Sequence, residues 1–391
     1  MGKHYFRGQA QPHAIMKRYS FLLILIMAAL SGTAQDSVLH FVFTSDVHYG
    51  ITRAHFRGSD DVPSTIVSRA MIAAINRLPG DTIPFDDGAA SGQRIGHVDG
   101  ILITGDIANR EEKGIQSAAE SWRQFEADYD HLLGTMDRQH KPTPLLLGPG
   151  NHDVSDAVGF WRPMQPATDA SSMAGIYNRM VRPAHPRTAS TYNYTTDRIR
   201  YYRDIAGIRF LFADCWPDSL ARSWIEGQLK DMRPGTPVLL FTHANPDVEA
   251  RFFTNPNGNH GLDSVDKFEN LLPEVFQDGQ TVKETALIEQ RGLVRFLQRH
   301  PEIKAYFHGH NNYTEYYQWQ GPDKNISLPC FRVDSPMKGK FSSKDETRLS
   351  FELITIDTRT KTLTVRECLW NTVPGDPSVL RWGQAKTMNI Q

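Results

Sequence analysis

The sequence predicts an α/β fold in which buried strands deliver polar loops at their C-terminal ends. Three observations carry that reading. Six short apolar runs rich in branched residues each end in a cluster of Gly, Asp, Asn or His. Helical patterns separate most of them. Of the 391 residues, 40% are hydrophobic and 22% charged, with no long low-complexity run, which is ample material for a large core. Alternation of this kind favours a sheet whose strand ends carry the ligand-binding loops.

The runs are Val38 to Ser45, Gly100 to Thr104, Pro144 to Leu147, Ile208 to Ala213, Val238 to Thr242 and Ile303 to Phe307. Short continuous apolar runs bounded by turn formers fit strands covered on both faces. Ser64 to Arg77, Gly114 to Leu133, Ser223 to Met232 and Glu284 to Gln298 repeat apolar residues at helical spacing. Pro79 to Gly96, Val154 to Tyr194 and Arg251 to Gln280 read as insertions, and long loops beside a site more often form lids or substrate walls than linkers. After Asn312 the pattern turns to strands: Asn325 to Val333, Leu349 to Asp357 and Thr362 to Leu369, the last two joined by a turn at Asp357-Thr358-Arg359-Thr360. The expected organisation is a removed signal peptide over 1–34, one domain over 35–371, and a C-terminal tail over 372–391.

Lys3, Arg7, Lys17 and Arg18 precede an apolar run, Phe21 to Leu30, that ends in Ser31-Gly32-Thr33-Ala34. A basic region, a short apolar region and small residues are the order of a secretory signal peptide. The apolar run is shorter than the ~20 residues a transmembrane helix needs. Export to the periplasm or medium is therefore expected, with no transmembrane anchor after cleavage. The formal net charge of −1, from 43 basic and 44 acidic residues, offers no footprint for a polyanionic backbone, so nucleic acid is not an expected partner. Cys215, Cys330 and Cys368 show no C-x-x-C spacing. They read as buried thiols that pack like small hydrophobes.

Five clusters at strand ends could carry chemistry. Asp46-Val47-His48 sets two side chains one residue apart, and on an extended segment these point to the same side and can share an ion. Gly105-Asp106 presents a carboxylate with two oxygens able to bridge cations, although such an Asp equally reads as a helix cap. Gly150-Asn151-His152-Asp153 joins a hard carbonyl ligand to an imidazole followed by an acid, the makings of an oriented proton donor. Gly258-Asn259-His260 repeats that triplet without a preceding strand and reads as an ordinary polar loop. His243 follows the fifth apolar run and His308-Gly309-His310-Asn311-Asn312 the sixth; taken singly, a His at a strand end is usually a satisfied polar residue.

The order of the clusters is more specific than any one of them. The series D-x-H, G-D, G-N-H-D, H, G-H-x-N over residues 46 to 312 resembles the signature of the calcineurin-like metallophosphoesterases. The resemblance implies an αββα sandwich, two stacked mixed sheets flanked by helices, with the strand-rich C-terminal third fitting the second sheet. It implies two divalent metal ions, drawn from Mn, Fe, Zn or Mg. One would take Asp46, His48 and Asp106; the other would take Asp106, Asn151, His243 and His310, with Asp106 bridging. His152 would stand outside the metals as acid to the leaving group, oriented by Asp153. The reaction implied is hydrolysis of a phosphate monoester or diester, on a small molecule or lipid headgroup, by hydroxide generated at the two-metal site.

The chain departs from the family pattern at Asn312, where a second His is common. An Asn carbonyl is a harder and weaker ligand than imidazole, so the first metal is expected to be Mg²⁺-like or Mn²⁺-like, or loosely held. His308 precedes the glycine and reads as structural. The departure also motivates an alternative, a non-catalytic or weakly active member of the fold that binds metal or phosphate. Tyr49, Asn109, Arg110 and Asn245 neighbour the motif residues and are candidate substrate contacts, Arg110 through bidentate donation to phosphate.

Overall fold

Val38–Thr44 is buried at every position, because a strand in mid-sheet and between layers has both faces covered. The computed structural model describes residues 1–2, 37–109, 116–154, 169–194, 196–247, 276–277, 280–281, 285–374, 376 and 379–391. The chain divides into two units, Met1–Val38 and Leu39–Gln391, and every described site residue lies in the second.

The strands are β1 (Val38–Thr44), β2 (Thr52–Phe56), β3 (Ser59–Pro63), β4 (Gly100–Ile103), β5 (Leu145–Leu147), β6 (Arg200–Ile205), β7 (Ile208–Ala213), β8 (Val238–Phe241), β9 (Phe276–Gln277), β10 (Gln280–Thr281), β11 (Ile303–His308), β12 (Glu315–Trp319), β13 (Leu328–Arg332), β14 (Ser350–Asp357), β15 (Thr362–Leu369) and β16 (Arg381–Asn389). The helices are α1 (Ser64–Ile75), α2 (Ala118–Leu132), α3 (Asn151–Val154), α4 (Ser171–Met180), α5 (Ser219–Leu229) and α6 (Thr285–Arg299). One six-stranded sheet runs β16-β15-β14-β1-β4-β5 and the other β12-β13-β11-β8-β7-β6; β2-β3 and β9-β10 are separate pairs.

The two large sheets face each other through aromatic side chains. Phe41 of β1 meets Phe210 of β7 at 4.6 Å between ring centroids, and Phe43 meets Phe307 of β11 at 5.6 Å, edge to face. Helices α1, α2 and α4 pack together on the side of the first sheet, and α5 with α6 on that of the second. This is the αββα sandwich expected.

Parallel pairing is what makes a site from these elements. β1, β4 and β5 are parallel neighbours, and so are β7, β8, β11 and β13. Parallel strands end at the same edge of their sheet, so the loops after β1, β4 and β5 emerge together, as do those after β8, β11 and β13.

Three expectations need correction. The C-terminal third does not form the second sheet alone: β14, β15 and β16 extend the first sheet beside β1, while β12 and β13 join the second. Residues after Asn371 are not a tail throughout, since β16 pairs antiparallel with β15 and forms the sheet edge. Its residues alternate little in hydrophobicity because edge strands are largely exposed, which hides them from a pattern search. The stretch Pro79 to Gly96 is no lid: Asp86 accepts from Arg366 of β15 at 2.6 and 2.8 Å, and Ala89 N donates to Thr364. Residues 155–168 of the stretch Val154 to Tyr194 and most of Arg251 to Gln280, with His260, lie outside the described residues. The three cysteines are buried and form no disulfide. Among the described residues, no helix is long and apolar enough to cross a membrane.

Candidate metal centre

The loops after β1 and β4 zip together beyond the strands. Asp46 N donates to Gly105 O at 2.9 Å, His48 N to Asp106 O at 2.9 Å, and Tyr49 N to Ile107 O at 2.8 Å. This ladder holds Asp46, His48 and Asp106 side by side. His48 Nε2 lies 3.7 Å from Asp46 Oδ1 and 3.7 Å from Asp106 Oδ2.

From the second sheet, β8 brings His243 to the Asp106 carboxylate, and β11 brings His310 to His243. His243 Nε2 is 3.4 Å from Asp106 Oδ2, 3.0 Å from Asn151 Oδ1 and 3.2 Å from His310 Nδ1. Asn151 Oδ1 is also 3.1 Å from His310 Nδ1. The carbonyl oxygen of Thr104 lies 3.0 Å from His243 Nδ1. A carbonyl can only accept, so Nδ1 carries a proton and Nε2 is the nitrogen turned toward the cluster. Asp106 is thus the carboxylate at the centre, flanked by His48 on one side and His243 on the other.

Glycines at two motif positions leave room for these carboxylates. A Cβ on Gly150 would sit 2.2 Å from Asp106 Oδ1, and one on Gly309 would sit 2.3 Å from Asp46 Oδ2. His310 N donates to that same Asp46 oxygen at 2.9 Å, and His152 N to Asp106 Oδ1 at 2.7 Å. The backbone therefore orients one oxygen of each carboxylate and leaves the other facing the cluster.

The chemistry of the cluster fits metal ions. Asp46 Oδ1, both ring nitrogens of His48, and Asn312 Oδ1 are buried without a hydrogen-bond partner. Buried polar atoms are rarely left so, because desolvation without a bond costs about 1–3 kcal/mol each. Two groups of ligand atoms lie close enough to share an ion: Asp46, Asp106 and His243, and His48, Asp106 and His152. With only protein groups to balance it, the crowding of acceptors is expressed in the acidities. Burial would lower His243, yet Asp106 and then Asp46 push it up to about 9. Burial raises Asp46 to about 6 against the pull of His243. Burial also works upward on Asp106, but His243 and His152 hold it well below the usual carboxylate range. His48 is held well below the usual imidazole value, by burial first and then by the Lys338 ammonium. A cation among these groups would take the place of the proton on His243.

His152 stands at the rim, its Nε2 4.0 Å from Asp106 Oδ2 and its ring edge-on to His48 at 4.9 Å. Asp153 has a different task from the one expected. Its carboxylate accepts from the backbone N–H groups of Ile107, Ala108 and Gly150 and from the Ser172 hydroxyl, at 2.6–3.1 Å. It fastens the loops after β4 and β5 to each other and to α4. His308 is buried with both ring nitrogens engaged, Nδ1 3.1 Å from Gly309 O and Nε2 2.8 Å from the Tyr317 hydroxyl.

Of the candidate substrate contacts among the described residues, Asn109 lies in the centre: it is buried and its Oδ1 is 3.3 Å from Lys338 Nζ. Tyr49 is corrected. Its ring is fully buried against Phe125 of α2 and its hydroxyl donates to Asp128; the chain turns through left-handed φ at Asp46 and His48 and is not the extended segment expected there. Asn245 is half-buried and spends its amide on Asp247 of its own loop. Arg110 lies outside the described residues.

Sequence reasoning missed Lys338 and Ser335, on the loop after β13. Lys338 Nζ is 3.4 Å from His152 Nε2, and the Ser335 hydroxyl donates to Asp46 O at 2.8 Å. A signal was present. Asn325 to Val333 is an apolar strand followed by Asp334-Ser335 and Gly339, the same syntax as the five motifs, but without a His it drew no notice.

A family model described as calcineurin-like phosphoesterase matches residues 39–313, well over half of the chain. No curated protein matches. Among solved structures, a single mutant of Vps29 from Entamoeba histolytica aligns at 12% identity and TM-score 0.31, covering 90% of this chain and 100% of that one. The calcineurin-like phosphoesterase YfkN from Bacillus subtilis aligns at 10% identity and TM-score 0.30, covering 90% of each chain.

Proposed function

We propose, from the premise that the chain belongs to the calcineurin-like phosphoesterase family, that it is an exported hydrolase of phosphate monoesters or diesters working at a two-metal site. The observation that carries this reading is a buried cluster in which Asp46, His48 and His243 gather about the Asp106 carboxylate and Asn151 and His310 meet at His243, with unpartnered polar atoms on Asp46, His48 and Asn312. Asp46, His48 and Asp106 would hold one ion, with Asn312 Oδ1 as a fourth donor. Asp106, Asn151, His243 and His310 would hold the other. Cations of the Mn, Fe, Zn or Mg class, when bound, supply Lewis-acid polarisation of the phosphate and activation of water.

The protein's own groups divide the remaining work. Asp106 sets the spacing of the two ligand sets by belonging to both. Thr104 fixes the tautomer of His243. Asp153 keeps the loops of Asp106 and His152 in register through four hydrogen bonds. His152, at the rim, would give a proton to the departing oxygen of the ester. The substrate class is a small-molecule or lipid-headgroup phosphate ester.

Two measurements test the proposal. The purified protein, supplied with Mn²⁺ or Mg²⁺, should contain two divalent ions per chain, hydrolyse a generic aryl phosphate, and lose both properties in chelator. Metal content near zero in the folded, supplemented protein would sink the metal site, and metal without turnover would favour a binding protein. Export rests on the order of residues 1–34, and N-terminal sequencing of protein recovered from the periplasm or medium should begin at Gln35. A chain retained in the cytoplasm with its first 34 residues intact would refute export.

A further inference from the structure

We infer that Lys338 is a phosphate-binding residue that makes the site favour the dianion of a phosphate monoester over a diester. The inference rests on the phosphoesterase reading above and narrows its substrate. Lys338 lies beyond residue 313, outside the stretch matched by the family model. It reaches the centre because β13 runs parallel to β11, so the loop after β13 leaves the sheet at the edge that carries His310.

That loop is bolted to the metal ligands at both ends. The buried Ser335 hydroxyl donates to Asp46 O at 2.8 Å and accepts from Met337 N at 3.2 Å and Lys338 N at 2.9 Å. Lys340 N donates to Asn312 O at 2.5 Å. Between these anchors, half-buried Lys338 extends its ammonium to 3.3 Å from Asn109 Oδ1 and 3.4 Å from His152 Nε2. Side chains from the loops after β4, β5 and β13 thus meet at one point on the rim of the ligand cluster.

The electrostatics of that point select its occupant. An ammonium beside a site for two dications is repelled by them, and the repulsion is relieved when an anion lies between. The four phosphorus substituents of a monoester dianion are one leaving oxygen and three charged oxygens. If the ions engage two charged oxygens, the third is left for Lys338 and Asn109, with His152 beside the leaving oxygen. In a diester that third oxygen carries a carbon substituent and no charge, so it gains far less from an ammonium.

The test uses the full chain loaded with Mn²⁺, and the variants Lys338→Ala, Lys338→Gln and Lys338→Arg. Substrates are p-nitrophenyl phosphate and methyl p-nitrophenyl phosphate, which share a leaving group. Loss of one charge-assisted bond should lower kcat/KM for the monoester about 10–100-fold in the Ala and Gln variants and for the diester less than about 3-fold. Lys338→Arg should recover a large part of the monoester rate. Binding of inorganic phosphate, measured calorimetrically, should weaken about 10-fold or more in Lys338→Ala with metal content unchanged. Equal losses on both esters, or unchanged phosphate affinity, overturn the inference while leaving phosphoesterase activity standing. So does loss of metal or fold in both Ala and Gln variants, which would make the lysine a structural strut. Absence of turnover on either ester by the unaltered chain refutes the phosphoesterase reading itself.

Discussion

Asp46, His48, Asp106, His310 and Asn312 all hold a positive φ, between 41° and 67°. This left-handed region costs an L-residue roughly 1–2 kcal/mol, less for Asp and Asn, whose short side chains bond locally. Five such residues gathered in one cluster mean that the surrounding packing imposes the conformation, as is common where function needs it. The functional consequence at this scale lies with His152. If it is a proton donor and not a ligand, His152→Ala keeps its metals and fold but loses turnover, since a positioned donor contributes about 10²–10⁴-fold. The loss should be larger on alkyl phosphates than on nitrophenyl phosphate, because a phenolate leaves without protonation. Because His152 also lies within sharing distance of His48 and Asp106, metal analysis of the same variant is decisive. A stripped ion, or equal damage to both substrate classes, would move His152 into the coordination shell or make it a clamp.

At the scale of the element, the loop from Asp334 to Asp345 does for the site what the motif loops do, without any of their signature residues. It is held by backbone and hydroxyl contacts to Asp46 and Asn312, and it begins at an acid whose burial pushes its carboxyl up to about 7. The folded pKa of Asp334 is raised above its unfolded value. The folded state therefore binds the proton more tightly, and this contribution to stability is complete below about pH 4 and lost as pH rises through about 7. The amplitude is on the order of a few kcal/mol. Asp334→Asn removes this titration, so thermal unfolding of the variant between pH 5 and 8 should show a flatter decline with pH than the unaltered protein. Parallel profiles for the two proteins would mean that Asp334 titrates normally.

At the scale of the whole molecule, one aromatic row crosses the second sheet from edge to edge. Tyr201, Phe212, Phe241, Phe307, Phe331 and Tyr316 are successive register partners on β6, β7, β8, β11, β13 and β12. The first five rings stack at 4.7–4.9 Å between centroids. Phe43 meets this row edge-on from the first sheet, against Phe241 and Phe307. Phe241 lies two residues before His243, and Phe307 three before His310, so the row sets how far each imidazole projects past the sheet edge. Phe241→Ala should cost about 3–5 kcal/mol in urea unfolding and weaken metal retention with it. Phe85→Ala, at a ring 91% exposed, should stay within about 0.5 kcal/mol. Metal retention unchanged in a destabilised Phe241→Ala would show that the row supports the fold without positioning the site.

Much of this protein was legible in its residues alone, because apolar runs ending in glycine and acid announce buried parallel strands wherever they occur. The strands before Asp46, Asp106, Asn151, His243 and His310 were marked this way, and so was the family. The hairpin β2-β3, strand β6, the edge strands β12 and β16 and the sheet to which β14 and β15 belong were not, since exposed or amphipathic strands carry a weak period and sheet order is decided by pairing distant in sequence. The roles of neighbours were equally hidden. Tyr49 and Asp153 each adjoin a motif histidine, but a left-handed turn at His48 precedes Tyr49, which packs into the α2 core, and three N–H groups and a hydroxyl claimed the Asp153 carboxylate. Lys338 entered the centre only through the parallel register of β13 with β11, a relation between segments that no local pattern expresses.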